Sequence, residues 1–175
     1  MADTLRVGLI GLGSMGRHHA RVIRATPGME LVAVADPGGD RFGVAGPLPL
    51  LEDVGALIGA GLDAAVVAVP TIHHEEVALA LARAGVHTLV EKPIAHDAAA
   101  GRRVADAFAE RGLVGAVGYV ERCNPALRAL RERLDAGELG RVYQVLTRRQ
   151  GPFPARISDV GVVKDLATHD IDLTA

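Results

Sequence analysis

Residues 5–36 decide the fold: Leu5-Arg-Val-Gly-Leu-Ile-Gly11-Leu-Gly13-Ser14-Met15-Gly16, an amphipathic stretch to Ala25, then Glu30-Leu-Val-Ala-Val-Ala-Asp36. The apolar run 5–10 reads as a strand buried on both faces. Gly11 permits a sharp turn out of it. Gly13 leaves room for a diphosphate to approach the backbone, and Gly16 lets the following helix pack close to the sheet. That helix start, with Ser14 and Met15 in its first turn, offers N–H groups and a partial positive charge. Asp36 stands twenty residues after Gly16, at the end of a second apolar run. There a carboxylate can accept a hydrogen bond from a ribose hydroxyl. A lone Gly-x-Gly-x-x-Gly is a weak signal. Strand, glycines, helix, strand and acid in that order specify a dinucleotide-binding βαβ unit.

The same alternation extends outward. Residues 37–49 carry too much Gly and Pro for a long helix. A short helix near 51–59 precedes a buried strand over 64–69, ended by Pro70. A helix from His74 to Ala84 is stopped by Gly85. A strand over 87–90 ends in Glu91-Lys92-Pro93. Asp97 caps a helix to about Arg111, and 113–117 forms a further strand. Strands separated by helices predict right-handed crossovers and a parallel sheet. After Gly118 the pattern changes. Pro125 to Ala136 reads as a helix, 141–148 alternates with period two like a half-buried antiparallel strand, 150–161 reads as a loop, and 162–174 as a helix.

Composition narrows the function classes. Of 175 residues, 49% are hydrophobic, which supports a sizeable core. Aromatics are only 3% and Trp is absent, so that core is aliphatic, as a parallel sheet covered on both faces requires. The formal net charge is −2 without a basic block, which argues against nucleic acid or an anionic membrane as partner. A single cysteine, Cys123, excludes an internal disulfide. No apolar stretch reaches spanning length unbroken, and the N-terminus runs straight into the first strand. A cytoplasmic protein is the expectation.

Three further features sit where chemistry is expected. Pro70-Thr71-Ile-His-His74-Glu-Glu76 follows a strand's carboxyl end, the edge at which open α/β sheets bind ligands. Taken alone it reads first as a strand stop with His73 and His74 on an exposed helix start. Its adjacent histidines diverge on a helix, so no metal site is read there. Glu91-Lys92-Pro93 occupies the same edge, where Lys92 can stabilise negative charge on a reacting oxygen. A surface Lys92–Glu91 pair is the alternative. Asp165, His169 and Asp172, at spacings of four and three, share one face of a helix. A carboxylate beside an imidazole suits general acid–base work, and a solvated polar face is the bland reading.

Taken in this order, the glycine loop, Pro70 with His74 and Glu76, Glu91-Lys92-Pro93, and Asp165 with His169 and Asp172 resemble the Gfo/Idh/MocA family of NAD(P)-dependent sugar and cyclitol oxidoreductases. The likeness covers essentially the whole chain. A narrower likeness, in Val120–Pro125, Gly151–Arg156 and Asp159–Leu173, is to the branch that includes UDP-N-acetylglucosamine 3-dehydrogenases.

The resemblance implies an α/β fold: a Rossmann doubly wound parallel sheet over residues 1–118, then the beginning of an α+β substrate and oligomerisation domain over 119–175. NAD, with NADP as the alternative, would be held by Gly11, Gly13, Ser14, Met15, Gly16, Asp36, Pro70, Thr71, His74, Glu91 and Lys92. Lys92, Asp165 and His169 would be catalytic, with the Lys92–Pro93 bond open to the cis form. Arg122, Asn124 and Asp172 would meet a small sugar, cyclitol or sugar-nucleotide substrate. Two departures from the family stand out: a short segment after Asp36, and the absence of the large antiparallel sheet. The second predicts that the chain is a fragment of a longer protein, oligomeric in its full form. The sequence also leaves open a non-catalytic NAD-binding regulatory or partner module.

Overall fold

The computed structural model describes residues 4–150, 161 and 163–175. The chain divides into two compact units, Met1–Val117 and Gly118–Ala175.

The first unit is a six-stranded parallel sheet. Its strands are β1 (Leu5–Ile10), β2 (Met29–Ala35), β3 (Leu50–Leu51), β4 (Ala64–Val67), β5 (His87–Val90) and β6 (Gly115–Val117). They lie in the order β3-β2-β1-β4-β5-β6. The chain reverses its direction of growth between β1 and β4, which opens a crevice at their carboxyl ends. Helices α1 (Ser14–Ala25), α2 (Val54–Ile58), α3 (His74–Arg83) and α4 (Ala98–Ala109) make the crossovers.

Strand alternation divides the aliphatic core in two. Val7 and Leu9 of β1 face one side with Leu31, Val34 and Val66, under Ala20 and Ile23 of α1. Ile10 faces the other with Ala65, Val67 and Val90, under Leu57 of α2, Leu81 of α3 and Val104 and Phe108 of α4. On β2 the inward residues are Leu31 and then Val34, three apart, because the β1–β2 register shifts between Val7 and Gly8. Asp53 and Asp97 cap α2 and α4 by accepting from Ala56 N–H and Ala100 N–H at 2.8 Å each.

Residues 36–49 hold no helix. Instead Asp40 folds the segment, its carboxylate accepting from Val44 and Ala45 N–H at 2.7 Å each. Those backbone bonds leave its pKa below the ordinary carboxylate value although desolvation, the largest influence, works the other way. The two-residue β3 was not legible as a strand in the sequence.

The second unit contains a 3₁₀ turn (Val120–Cys123), α5 (Pro125–Asp135), a π-helical turn (Val163–Ala167) and α6 (Thr168–Thr174). The period-two segment 141–148 is not a strand: it is irregular and exposed throughout. A strand needs a neighbour to take its N–H and C=O groups, and none is paired with it among the described residues. Most of the expected 150–161 loop, with the Gly151–Arg156 and Asp159 motifs, lies outside the described residues, as does Val162. The helix expected over 162–174 begins instead with the π turn.

Gly16 sits where α1 crosses the loop. A Cβ there would overlap the Gly11 carbonyl oxygen, whereas one at Gly13 would meet nothing within 4 Å. Gly16→Ala is therefore expected to destabilise the first unit by about 1–3 kcal/mol. Gly13→Ala is expected to cost less than about 1 kcal/mol, the penalty of a poorer helix cap. Urea unfolding of the two variants checks both, and equal costs would contradict the crossing geometry.

Candidate active site

The glycine loop is fixed from three sides. Gly11 has φ +92°, in the left-handed region, and a Cβ on it would run into the Ala68 backbone. Its N–H donates to Ala35 O at 2.9 Å, and the neighbouring Ala68 N–H donates to Ile10 O at 2.8 Å. Leu12 N–H donates to Asp36 Oδ2 at 2.7 Å. The loop therefore hangs between β2 and β4. Gly13 is the N-cap of α1, and no side chain caps that helix start. Ser14, Met15 and Gly16 follow as its first residues. Their N–H groups have no carbonyl of the helix to bond and lie just beyond the carboxyl end of β1.

Asp36, half-buried at the end of β2, also accepts from Gly38 N–H at 2.8 Å through Oδ1. One backbone donor on each oxygen holds the carboxylate still and leaves lone pairs for two more donors. Arg17 and Arg41 lie over the ring of Phe42, at 5.0 and 5.7 Å from its centre. Arg41 is thus engaged with an aromatic face nearby.

At the ends of β4 and β5 the sequence-predicted residues divide into outer and inner groups. Pro70 is exposed and Lys92 half-buried, and the Lys92–Pro93 peptide is cis. Thr71, His74 and Glu91 are buried. His74, 1% exposed, bridges two segments: Nδ1 lies 2.8 Å from Pro93 O and Nε2 2.9 Å from Val69 O. Glu91, 6% exposed, accepts from His19 Nε2 at 2.6 Å through Oε1 and from Lys92 N–H at 3.1 Å through Oε2. Both side chains hold the frame around Lys92. His19 was missed by sequence reasoning. Its only signal is a polar residue bordering the buried stripe Gly16–Ala20–Ile23 of α1.

The second unit brings Arg122 and Asp172 together. The guanidinium grips the carboxylate with two bonds, one of 2.8 Å from Nε, and that pairing raises the Arg122 pKa above its ordinary value. Arg149 donates to Asp170 at 3.3 and 3.4 Å and to Glu121 at 3.5 Å. Two arginines thus tie the Val120–Cys123 turn to α6, an arrangement the sequence did not announce. Asn124 caps α5, its Oδ1 accepting from Ala126 N–H at 3.1 Å, and its amide reaches Glu121 at 3.3 Å. Asp165 is buried in the π turn and His169 is half-buried at the start of α6. π turns recur at functional sites. Asp165 and His169 belong to a different compact unit from Lys92. No group of His, Cys, Asp and Glu among the described residues could hold a metal ion, and no helix among them is long and apolar enough to cross a membrane.

Burial of Glu91 works to raise its pKa, but the His19 hydrogen bond and electrostatics, with the Lys92 N–H, outweigh it and leave the value below the ordinary one. A carboxylate with a depressed folded-state pKa stabilises above its unfolded value and loses that contribution as pH falls through the folded one. The melting-temperature gap between the parent and Glu91→Gln is therefore expected to be widest near neutrality. It should close as pH drops through and below the carboxylate range. A gap independent of pH would contradict this account of the pair.

Comparison with known proteins places these features. The Gfo/Idh/MocA model, described as an oxidoreductase family with an NAD-binding Rossmann fold, matches residues 5–119. A scyllo-inositol 2-dehydrogenase (NAD(+)) of Bacillus subtilis strain 168 is 31% identical over 99% of this chain and 54% of its own length. A UDP-N-acetylglucosamine 3-dehydrogenase of Acidithiobacillus ferrooxidans is 37% identical over 97% of this chain and 53% of its own. The crystal structure of the WlbA dehydrogenase of Bordetella pertussis, in complex with NADH and UDP-GlcNAcA, superposes with a TM-score of 0.86 and 28% identity, covering 99% of this chain and 55% of that one. The chain spans about half the length of the curated relatives it matches. With the family model matched from β1 through Tyr119 and the sheet order seen directly, the chain belongs to the Gfo/Idh/MocA oxidoreductase family, with its NAD-binding Rossmann fold.

Proposed function

We propose that this chain provides the nicotinamide-binding half, and the acid–base residues, of a dehydrogenase acting on a secondary alcohol of a cyclitol, sugar or sugar nucleotide. The observation that carries the cofactor reading is the pair of glycines in the loop. Gly16 is required by the fold itself, because a Cβ would strike the Gly11 carbonyl. Gly13 has an ordinary φ of −72° and open space around it. What a side chain at Gly13 would obstruct is therefore a ligand, at a helix start without a capping side chain. A diphosphate fits that cradle, and the immobilised Asp36 carboxylate fits the adenosine ribose beyond it.

When bound, NAD supplies a hydride acceptor at C4 of its nicotinamide. The protein's own groups do the rest. Gly11 to Gly16 bind and orient, and Asp36 accepts from the ribose diol and disfavours a 2′-phosphate, so NAD is preferred to NADP. Lys92 donates to the reacting oxygen and stabilises negative charge on it. His169 takes the hydroxyl proton, and Asp165 fixes and charges the ring. His74 and Glu91 serve through position rather than contact. Arg122 remains a candidate for the substrate, with Asp172 aligning its guanidinium. The relatives named above support the choice between cyclitol and UDP-sugar as substrate class. In this reading residues 1–118 are the dinucleotide domain, 119–175 begin a substrate domain, and the dehydrogenase works as a cytoplasmic homo-oligomer.

Two measurements test the reading. Calorimetry with NAD is expected to show binding by the parent chain and a loss of at least about tenfold in affinity, roughly 1.4 kcal/mol, for Gly13→Ala. Equal affinity would remove the cradle. In protein that turns over inositols or UDP-sugars, Lys92→Met and His169→Ala are each expected to lower kcat by about 10²–10⁴-fold. An unchanged kcat would remove the residue concerned from the reaction.

A further inference from the structure

We propose that His19 is a positioning residue: through Glu91 it ties the helix behind the glycine loop to the backbone of Lys92, so that occupancy of the loop is felt at the lysine. The inference rests on the reading of the loop as the cofactor cradle and of Lys92 as the group facing the reacting oxygen. It goes further by assigning a role to a histidine outside both.

The geometry is a short chain of bonds. His19 lies on the second turn of α1, three residues after Gly16. Its Nε2 is 2.6 Å from Glu91 Oε1, across 72 residues of sequence. A carboxylate oxygen only accepts, so Nε2 carries the proton in this contact. Glu91 Oε2 takes the Lys92 N–H at 3.1 Å. Both side chains are shielded, with 16% of His19 and 8% of Glu91 exposed. A buried carboxylate without its donor carries a penalty, so the pair is held together and a displacement of α1 is transmitted to Glu91.

The far side of the lysine is braced independently. Pro93 O lies against His74 Nδ1, and the same ring reaches Val69 O. Lys92 is thus flanked by two fixed points: an N–H held by Glu91 and the next carbonyl held by His74. Only the first connects to α1, whose amino end is the proposed diphosphate seat. The His74 brace joins the segments after β4 and β5 and includes no bond to α1.

The test uses the 175-residue chain labelled with ¹⁵N and titrated with NAD, following the Lys92 amide, while calorimetry reports affinity. In the parent the Lys92 amide is expected to shift on saturation. In His19→Leu, NAD is expected to bind within about threefold of the parent while the Lys92 shift shrinks at least about twofold. His19→Gln, whose terminal amide can donate to Oε1, is expected to restore it. An undiminished Lys92 shift in NAD-saturated His19→Leu overturns the proposal and leaves the cofactor reading intact. Absence of NAD binding by the parent overturns the cofactor reading itself. Should His19→Leu fail to fold, His19→Asn, polar but too short to reach Oε1, is judged by the same shift: loss supports the link and retention overturns it.

Discussion

The close crossing of α1 over the turn after β1 is the constraint on which the rest depends. At Gly16 the helix backbone passes so near the Gly11 carbonyl that no side-chain carbon fits between them. This crossing sets the distance of α1 from the sheet, and with it the packing of Ala20 and Ile23 on Val7, Leu9 and Val34. It also points the start of α1 into the crevice between β1 and β4. A larger residue at Gly16 would press on the Gly11 carbonyl and strain this crossing.

From that crossing the candidate site is built mostly of backbone. Leu12 and Gly38 N–H groups hold Asp36, Lys92 N–H is held by Glu91, and Pro93 O and Val69 O meet His74. Buried polar side chains here connect segments that arrive from different strands. That is what a parallel sheet needs at its carboxyl edge, where each strand releases its chain into a loop with unsatisfied groups. Rigid placement of the loop ends is in turn what hydride transfer demands, because reacting atoms must be held within a few tenths of an ångström.

The second unit follows a different logic. Its segment 141–148 has the pattern of a strand but no strand beside it, and it remains irregular. What organises this unit is charge: Arg122 on Asp172, and Arg149 across Asp170 and Glu121. Asp170 and Asp172 follow His169 on α6. The same ion pairs therefore fix the helix on which the proposed base is mounted.

The alternation of the long strands and helices through Val117, the glycine loop, Asp36 at the end of β2 and the cap Asp97 were legible in the sequence, whereas the short β3 and the cap Asp53 were not read. Each depends on residues near one another along the chain: an apolar run, a turn residue, a side chain three positions from the N–H it caps. The family resemblance was legible for the same reason, since its motifs are short and ordered. The sequence alone could not say that His74 and Glu91 face inward, that His19 finds a carboxylate 72 residues away, or that Arg122 closes on Asp172. Nor could it say that an alternating stretch would find no partner. Those outcomes depend on which distant segments the sheet brings side by side. Hydrogen bonds and ion pairs between such segments leave no periodic trace in either one.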